Sequence, residues 1–386
     1  MRKVLARLWL MLVLLILLIT GLSGCGTDVG LLSGGGEWQA SGLKQHIRAL
    51  AVNASNPNIV YAGDEQGNVF VSTDAGQHWA KHSAGLTPSD SIHVLVFNSA
   101  NKKLYAATST GLFISDDKAQ QWHSLGLPSD TYTSFDFDPN SAAHLYAASM
   151  HGGVFMSTDE GKTWNTANGG LPQGLAINGI AFNSSQHQLW SATSAGVYRA
   201  DDKGSNWQAL NNGLPPNTVA YAVQPAAVVG TDKNLVYLGT NHGVFVSHDQ
   251  AAHWEQSQNG IQAVSVQRIM IDFRQSDGTA LYVTSNVGPL HSTDSGETWG
   301  SVASGWPKQT PAYDLALGAD GYTRLFVATN DVYLYPGEGG GWNISRILML
   351  LVVVIFFFLL YRMISRSRRH YFGTKKQSTP TDTSEP

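Results

Sequence analysis

Six octapeptides decide the reading: STDAGQHW (72–79), SDDKAQQW (115–122), STDEGKTW (157–164), ADDKGSNW (200–207), SHDQAAHW (247–254) and STDSGETW (292–299). They share the pattern Ser-x-Asp-x-Gly-x-x-Trp. With Trp38 and Trp342 added, the tryptophan spacings are 41, 43, 42, 43, 47, 45 and 43 residues, so eight markers enclose seven units. Upstream of each box lies Gly-Val-Phe or a relative, as at Gly153-Val154-Phe155 and Gly243-Val244-Phe245. Further upstream is Leu-Tyr-Ala or a relative, as at Leu104-Tyr105-Ala106 and Leu145-Tyr146-Ala147. Gly-Leu-Pro follows the tryptophan at Gly170-Leu171-Pro172 and Gly213-Leu214-Pro215. Each unit reads as four short runs rich in β-branched and aromatic residues, separated by Gly, Asn, Asp and Ser. In the second unit the runs are 92–97, 104–108, 112–115 and 121–125. Four antiparallel strands repeated at a fixed period form a propeller blade. The fold expected is an all-β, seven-bladed β-propeller of four-stranded blades over 37–342.

The seventh unit (312–335) has three inner strands but a degraded box, with Tyr335 and Gly337 at the Ser and Asp positions. Residues 37–41 (EWQAS) resemble the strand after a box, yet no box precedes them. They are expected to supply the outer strand of blade seven, which removes a free sheet edge. In the alternative, Trp342 opens its own outer strand.

Composition agrees with this class. The chain has 386 residues, 40 glycines, 10% aromatic and 13% charged residues, and a net charge of −4. A helical bundle does not fit these values, and nothing marks a nucleic-acid surface. The single cysteine, Cys25, excludes an intramolecular disulfide.

Both ends are apolar. Arg2, Lys3 and Arg7 precede an uncharged run to Ile19, the layout of an export signal over 1–24. Leu22-Ser23-Gly24-Cys25 resembles the bacterial lipobox, which implies cleavage before Cys25 and acylation of its thiol. The other reading is an uncleaved signal anchor. Residues 25–36 read as a flexible tether. Residues 347–361 carry no charge; with flanking residues they are expected to form a transmembrane helix over 343–364. Arg362, Arg366, Arg368, Arg369, Lys375 and Lys376 follow, and place the 365–386 tail in the cytoplasm. The expected location is a bacterial cell membrane, with the propeller on the extracytoplasmic side.

The repeated octapeptide resembles the Asp-box (BNR) repeat of sialidases, sortilin ectodomains, xyloglucan-type glucanases and photosystem II assembly-factor propellers. The resemblance covers 37–342 and bears on fold more than on function. The carboxylates Asp74, Asp117, Asp159, Asp202, Asp249 and Asp294 are read as turn-builders that accept amide hydrogen bonds. Trp79, Trp122, Trp164, Trp207, Trp254 and Trp299 are read as packing between blades. Ala119 and Ala251 replace the box glycine, so those hairpins are expected to be different or strained.

A sialidase needs arginines converging on a substrate carboxylate. The propeller has only Arg48, Arg199, Arg268, Arg274 and Arg324, and no Phe-Arg-Ile-Pro-like segment. The candidate acids for glycoside hydrolysis are Asp136, Asp138, Asp272 and Asp314. Neither metal nor cofactor is expected, and the reading adopted is a propeller that is no enzyme. Aligned innermost strands put Arg48, His93, Thr133, Asn178, Val219, Gln267 and Tyr313 in one column at the channel mouth. Arg268 and Asp314 stand one position on, and Trp306 and Tyr322 could add stacking. The sequence expectation is a binding platform for an envelope or membrane protein or a glycan, with an Asp-box glycoside hydrolase as the alternative. The single-propeller layout is most like the photosystem II assembly-factor group, which implies a membrane-protein client.

Overall fold

The second strand of every blade is apolar on both faces, and this shapes the molecule. Val60–Asp64 is buried along its whole length, and so is Leu281–Ser285. Such a strand needs cover on both sides, which the neighbouring blades provide. The outermost strands are only two residues long and mostly exposed, as at Ala80–Lys81 and His123–Ser124. Short polar edges of this kind discourage pairing with other chains.

The computed structural model describes residues 37–227, 234–262, 264–272, 280–319 and 323–336. They form seven four-stranded antiparallel sheets. Blades one to six occupy 47–81, 92–124, 132–166, 177–209, 220–256 and 266–301. Blade seven combines Asp314–Ala319, Thr323–Ala328 and Val332–Tyr335 with Gln39–Ala40 from the other end of the propeller. The chain is a seven-bladed β-propeller. The signal segment, tether, Cys25, transmembrane helix and tail read from the sequence lie outside the described residues, as do Tyr322 and Arg274. Among the described residues no helix is long and apolar enough to cross a membrane.

Apolar packing runs between blades. Tyr61 of blade one stacks on Phe97 of blade two at 6.3 Å, Tyr105 on Phe135 of blade three at 4.6 Å, and Tyr146 on Phe182 of blade four at 5.0 Å. Each pair adds about 0.5–1.5 kcal/mol beyond its buried area. The ring closes through Trp38, which is 7% exposed. Its ring lies 5.0 Å from Trp306 and 5.5 Å from Tyr335. Gln39 and Ala40 pair with Leu334 and Tyr333, and the Ser41 amide donates to the Val332 carbonyl at 2.8 Å.

The boxes occupy the hairpins between third and fourth strands. In blade one the Ser72 hydroxyl donates to Asp74 Oδ1 at 2.8 Å and accepts from the Gly76 amide at 2.7 Å, while Asp74 Oδ1 accepts from the His78 amide at 2.9 Å. Equivalent contacts recur at Asp117, Asp159, Asp249 and Asp294. These turn bonds draw the carboxyls of Asp74 and Asp159 below the ordinary aspartate value, Asp159 to about 2. Ala119 and Ala251 keep the glycine's hydrogen bond to serine, but at φ of 69° and 67°, in the left-handed region that disfavours a side chain.

Blade four departs from the sequence reading. Its box begins with Ala200, which has no hydroxyl, and the amides of Lys203 and Ser205 donate to Asp201 at 3.2 and 2.8 Å. Asp201, not Asp202, is the turn-builder there. The indole N–H of Trp122, Trp207 and Trp254 reaches back to carbonyls of the preceding blade at 2.7–3.2 Å, and that of Trp299 reaches Ser257 Oγ at 2.8 Å. Trp79 and Trp164 bond within their own boxes.

Candidate functional site

Each innermost strand begins with one residue outside the ladder. In blade one Ile47 pairs with Asp64 and Ala49 with Gly63, so Arg48 is bulged between them. The same slip isolates His93, Thr133, Asn178, Tyr221 and Gln267. In blade seven Tyr313 stands before the first pair, Asp314 with Ala328. A bulge re-aims a side chain that regular pleating would bury between sheets. All seven of these residues line one cavity of about 610 Å³, with Glu65 and Arg268 among its other walls.

The structure brings the residues of the sequence column together at this cavity except in blade five. Val219 precedes the strand and donates its amide to Asn241 Oδ1 at 2.9 Å; Tyr221 takes the place assigned to it. The triplet Ala220-Tyr221-Ala222 matches Ile47-Arg48-Ala49 in pattern, and that was the available signal. Trp306 is also displaced from the role given it. Its N–H donates to the Thr310 carbonyl at 3.0 Å, and its ring packs on Trp38 and Tyr333 in the closure.

Two members of the ring are engaged structurally. The Thr133 hydroxyl donates to the Ile177 carbonyl at 2.7 Å, and the Asn178 amide to the Ala220 carbonyl at 2.7 Å, each bridging to the next blade. Arg48 forms an ion pair with Glu65, and its guanidinium lies 4.1 Å from the centre of the Tyr313 ring. His93 Nε2 and Ser109 Oγ are hydrogen-bonded at 2.9 Å. Burial pushes the His93 imidazole below its ordinary value; the Asp90 carboxylate opposes this, and the guanidiniums of Arg48 and Arg268 add to it.

The positions just after these seven residues are Ala49, Val94, Ser134, Gly179, Ala222, Arg268 and Asp314. Six are short, and Arg268 extends past them. Its Nη2 donates toward the His93 carbonyl at 3.4 Å, and its Nε lies 3.5 Å from Asp314 Oδ1. Asp314 Oδ2 accepts the Leu50 amide of blade one at 2.9 Å. Burial raises the Asp314 carboxyl, against the lowering effect of Arg268 and the Leu50 amide. Asp136, two positions further along its strand, accepts the amides of Phe182 at 2.7 Å and Phe137 at 2.8 Å. Burial pushes its carboxyl up to about 6 despite those bonds.

The other candidate acids lie at strand ends. Asp138 accepts the Asn140 amide at 2.9 Å in a turn, and Asp272 is buried with its amide bonded to Ala280. Arg199 and Arg324 lie away from the mouth, on the Gln250 carbonyl and on Asn58. Among the described residues no group of three His, Cys, Asp or Glu could hold a metal ion.

These features define an Asp-box propeller whose channel mouth is an open cavity lined mostly by residues with polar side chains. The chain is related to the sortilin-Vps10 and Ycf48-like assembly-factor propellers. Residues 67–169 match the Sortilin-Vps10 family, described as sortilin, neurotensin receptor 3. The photosystem II assembly lipoprotein Ycf48 of Synechococcus sp. (strain CC9902) is 24% identical over 161 residues, covering 40% of this chain and 47% of that protein. The match thus spans about half of that relative's length. A structure of YCF48 bound to D1 peptide superposes with a TM-score of 0.60 at 12% identity, over 78% of this chain and 97% of that one. The GH74 xyloglucanase from Xanthomonas campestris superposes with a TM-score of 0.62 at 14% identity, over 80% of this chain and 55% of that enzyme.

At these identities the structural likenesses concern fold. The xyloglucanase nevertheless corrects the expectation that this propeller is no enzyme. A glycoside hydrolase carries blades of this kind, so the propeller fold does not exclude catalysis.

Proposed function

We propose that the channel mouth binds an extended segment of a partner polypeptide, on the outer side of a bacterial membrane. The observation that carries this is the convergence on one cavity of seven side chains that stand outside the ladders, six of them at bulges. Tyr221 and Tyr313 offer aromatic surface, and Gln267, His93 and Arg268 offer polar contacts to a peptide backbone. YCF48 bound to D1 peptide supports this use of the fold. Attachment through Cys25 and through a helix over 343–364 would hold the ring near a membrane-protein client. The lipoprotein relative supports the first anchor, and the basic run from Arg362 to Lys376 supports the second.

The fold comparison favours a second reading, glycoside hydrolysis. That chemistry needs one carboxyl protonated near neutral pH and another ionised. Asp136 and Asp314 on innermost strands are the candidate acids; burial raises both, which suits the protonated role. The test is a panel of fluorogenic glycosides and xyloglucan on the full chain, beside equilibrium binding of random hexapeptide pools. Hydrolysis abolished by Asp136→Asn or Asp314→Asn establishes the hydrolase. Peptide retention lost on Tyr221→Ala and Gln267→Ala establishes the polypeptide site.

A further inference from the structure

We infer that the mouth selects polypeptide segments bearing a carboxylate, and that Arg268 selects them; this rests on the polypeptide reading above. A guanidinium presents five N–H donors in a planar fork that fits a carboxylate with two parallel bonds. Arg268 uses little of that capacity. Its contacts with the His93 carbonyl and with Asp314 are 3.4 and 3.5 Å, beyond a good hydrogen bond. Its side chain is 28% exposed and lines the cavity.

The neighbouring groups are otherwise occupied. Arg48 has Glu65 on its edge and Tyr313 on its face. Thr133 and Asn178 donate to carbonyls of the next blade. Asp314 has one oxygen committed to the Leu50 amide, which fixes its other oxygen at 3.5 Å from Arg268 rather than in a tight pair. Among the described cavity residues, Arg268 is therefore the arginine without a tight carboxylate partner. An incoming carboxylate takes those donors, and Asp314 competes with it. The two residues have opposite effects on the same ligand.

Immobilised full-length protein is offered four pools of random hexapeptides made from uncharged residues. The pools are amidated, free at the C-terminus, amidated with one Asp or Glu, and amidated with the matching Asn or Gln. Oligogalacturonate serves as a carboxylate of another polymer class. The expected result is retention of carboxylate-bearing pools about tenfold above the neutral ones. Arg268→Gln erases that preference, and Asp314→Asn, which keeps an oxygen for the Leu50 amide, widens it. A folding defect would not strengthen binding, so the second variant guards the first. The free-end and side-chain pools tell which carboxylate is read. Equal retention of all pools, unmoved by Arg268→Gln, overturns the carboxylate inference and leaves the polypeptide site standing. No retention of any pool overturns the polypeptide reading itself, and oligogalacturonate bound in its place assigns the mouth to a glycan.

Discussion

The Arg268 guanidinium of blade six points at the backbone carbonyl of His93 on blade two, 3.4 Å away, so one side chain crosses the channel between blades that are not neighbours. The crossing depends on size: Ala49, Val94, Gly179 and Ala222 hold the same strand position in other blades and leave the lumen open. The bond is long, and its donor is partly solvated.

Arg268→Ala is expected to cost less than about 1 kcal/mol of stability, since a long, partly exposed contact contributes little. Asp314→Ala should cost about 1–3 kcal/mol, because it orphans the buried Leu50 amide. Urea unfolding of both variants checks the order. A larger loss for Arg268→Ala would mean that the arginine braces the channel.

Closure rests on Trp38. Trp38→Ala removes a buried indole from between Trp306 and Tyr335 and is expected to cost about 3–5 kcal/mol. The midpoint of chemical denaturation reports it. A loss under about 1 kcal/mol would show that stability does not depend on the N-terminal strand.

Gly213 tests the joint between blades. It has φ of +93°, and a Cβ there would sit 2.3 Å from the Trp254 carbonyl oxygen. Gly126 also has positive φ, +72°, but nothing lies within 4 Å of its Cβ position. Gly126→Ala should cost about 1–2 kcal/mol from conformation alone. Gly213→Ala should cost clearly more. Equal losses in thermal unfolding would mean that the blade joint yields freely.

Asp136 should leave a signature in pH. Its carboxyl is raised from 3.8 to about 6 on folding, so the folded state binds more protons between those values. Its contribution to stability is complete below the unfolded value and is lost as pH rises through about 6. The stability of Asp136→Asn relative to the parent should therefore climb between pH 4 and pH 7, and a flat difference would refute the shift. The box carboxylates act in the opposite direction. Asp159, held at about 2, stabilises above its unfolded value and loses that effect as pH falls through about 2.

The repeat was legible because its causes are local. Serine and aspartate shape a turn within eight residues, and the apolar runs between turns give four strands wherever they recur. The ring of seven blades and its mouth column follow from counting such units. Tyr221 was missed because a bulge is a relation between two strands: only the pairing of Ala220 with Thr240 and Ala222 with Gly239 shows which residue is left out. Asp201 replaces Asp202 because the loss of one hydroxyl at Ala200 changes which carboxylate meets the turn amides.

Local chemistry repeated along the chain thus determines the blade, its number and the composition of the channel mouth. Which donors remain open there is decided by residues far apart in sequence. Glu65 occupies Arg48, and Ile177 and Ala220 occupy Thr133 and Asn178. Arg268 keeps its donors because Asp314 is tied to Leu50, 264 residues away along the chain. Hydrogen-bond geometry falls off within fractions of an ångström, and only the closed ring fixes distances on that scale.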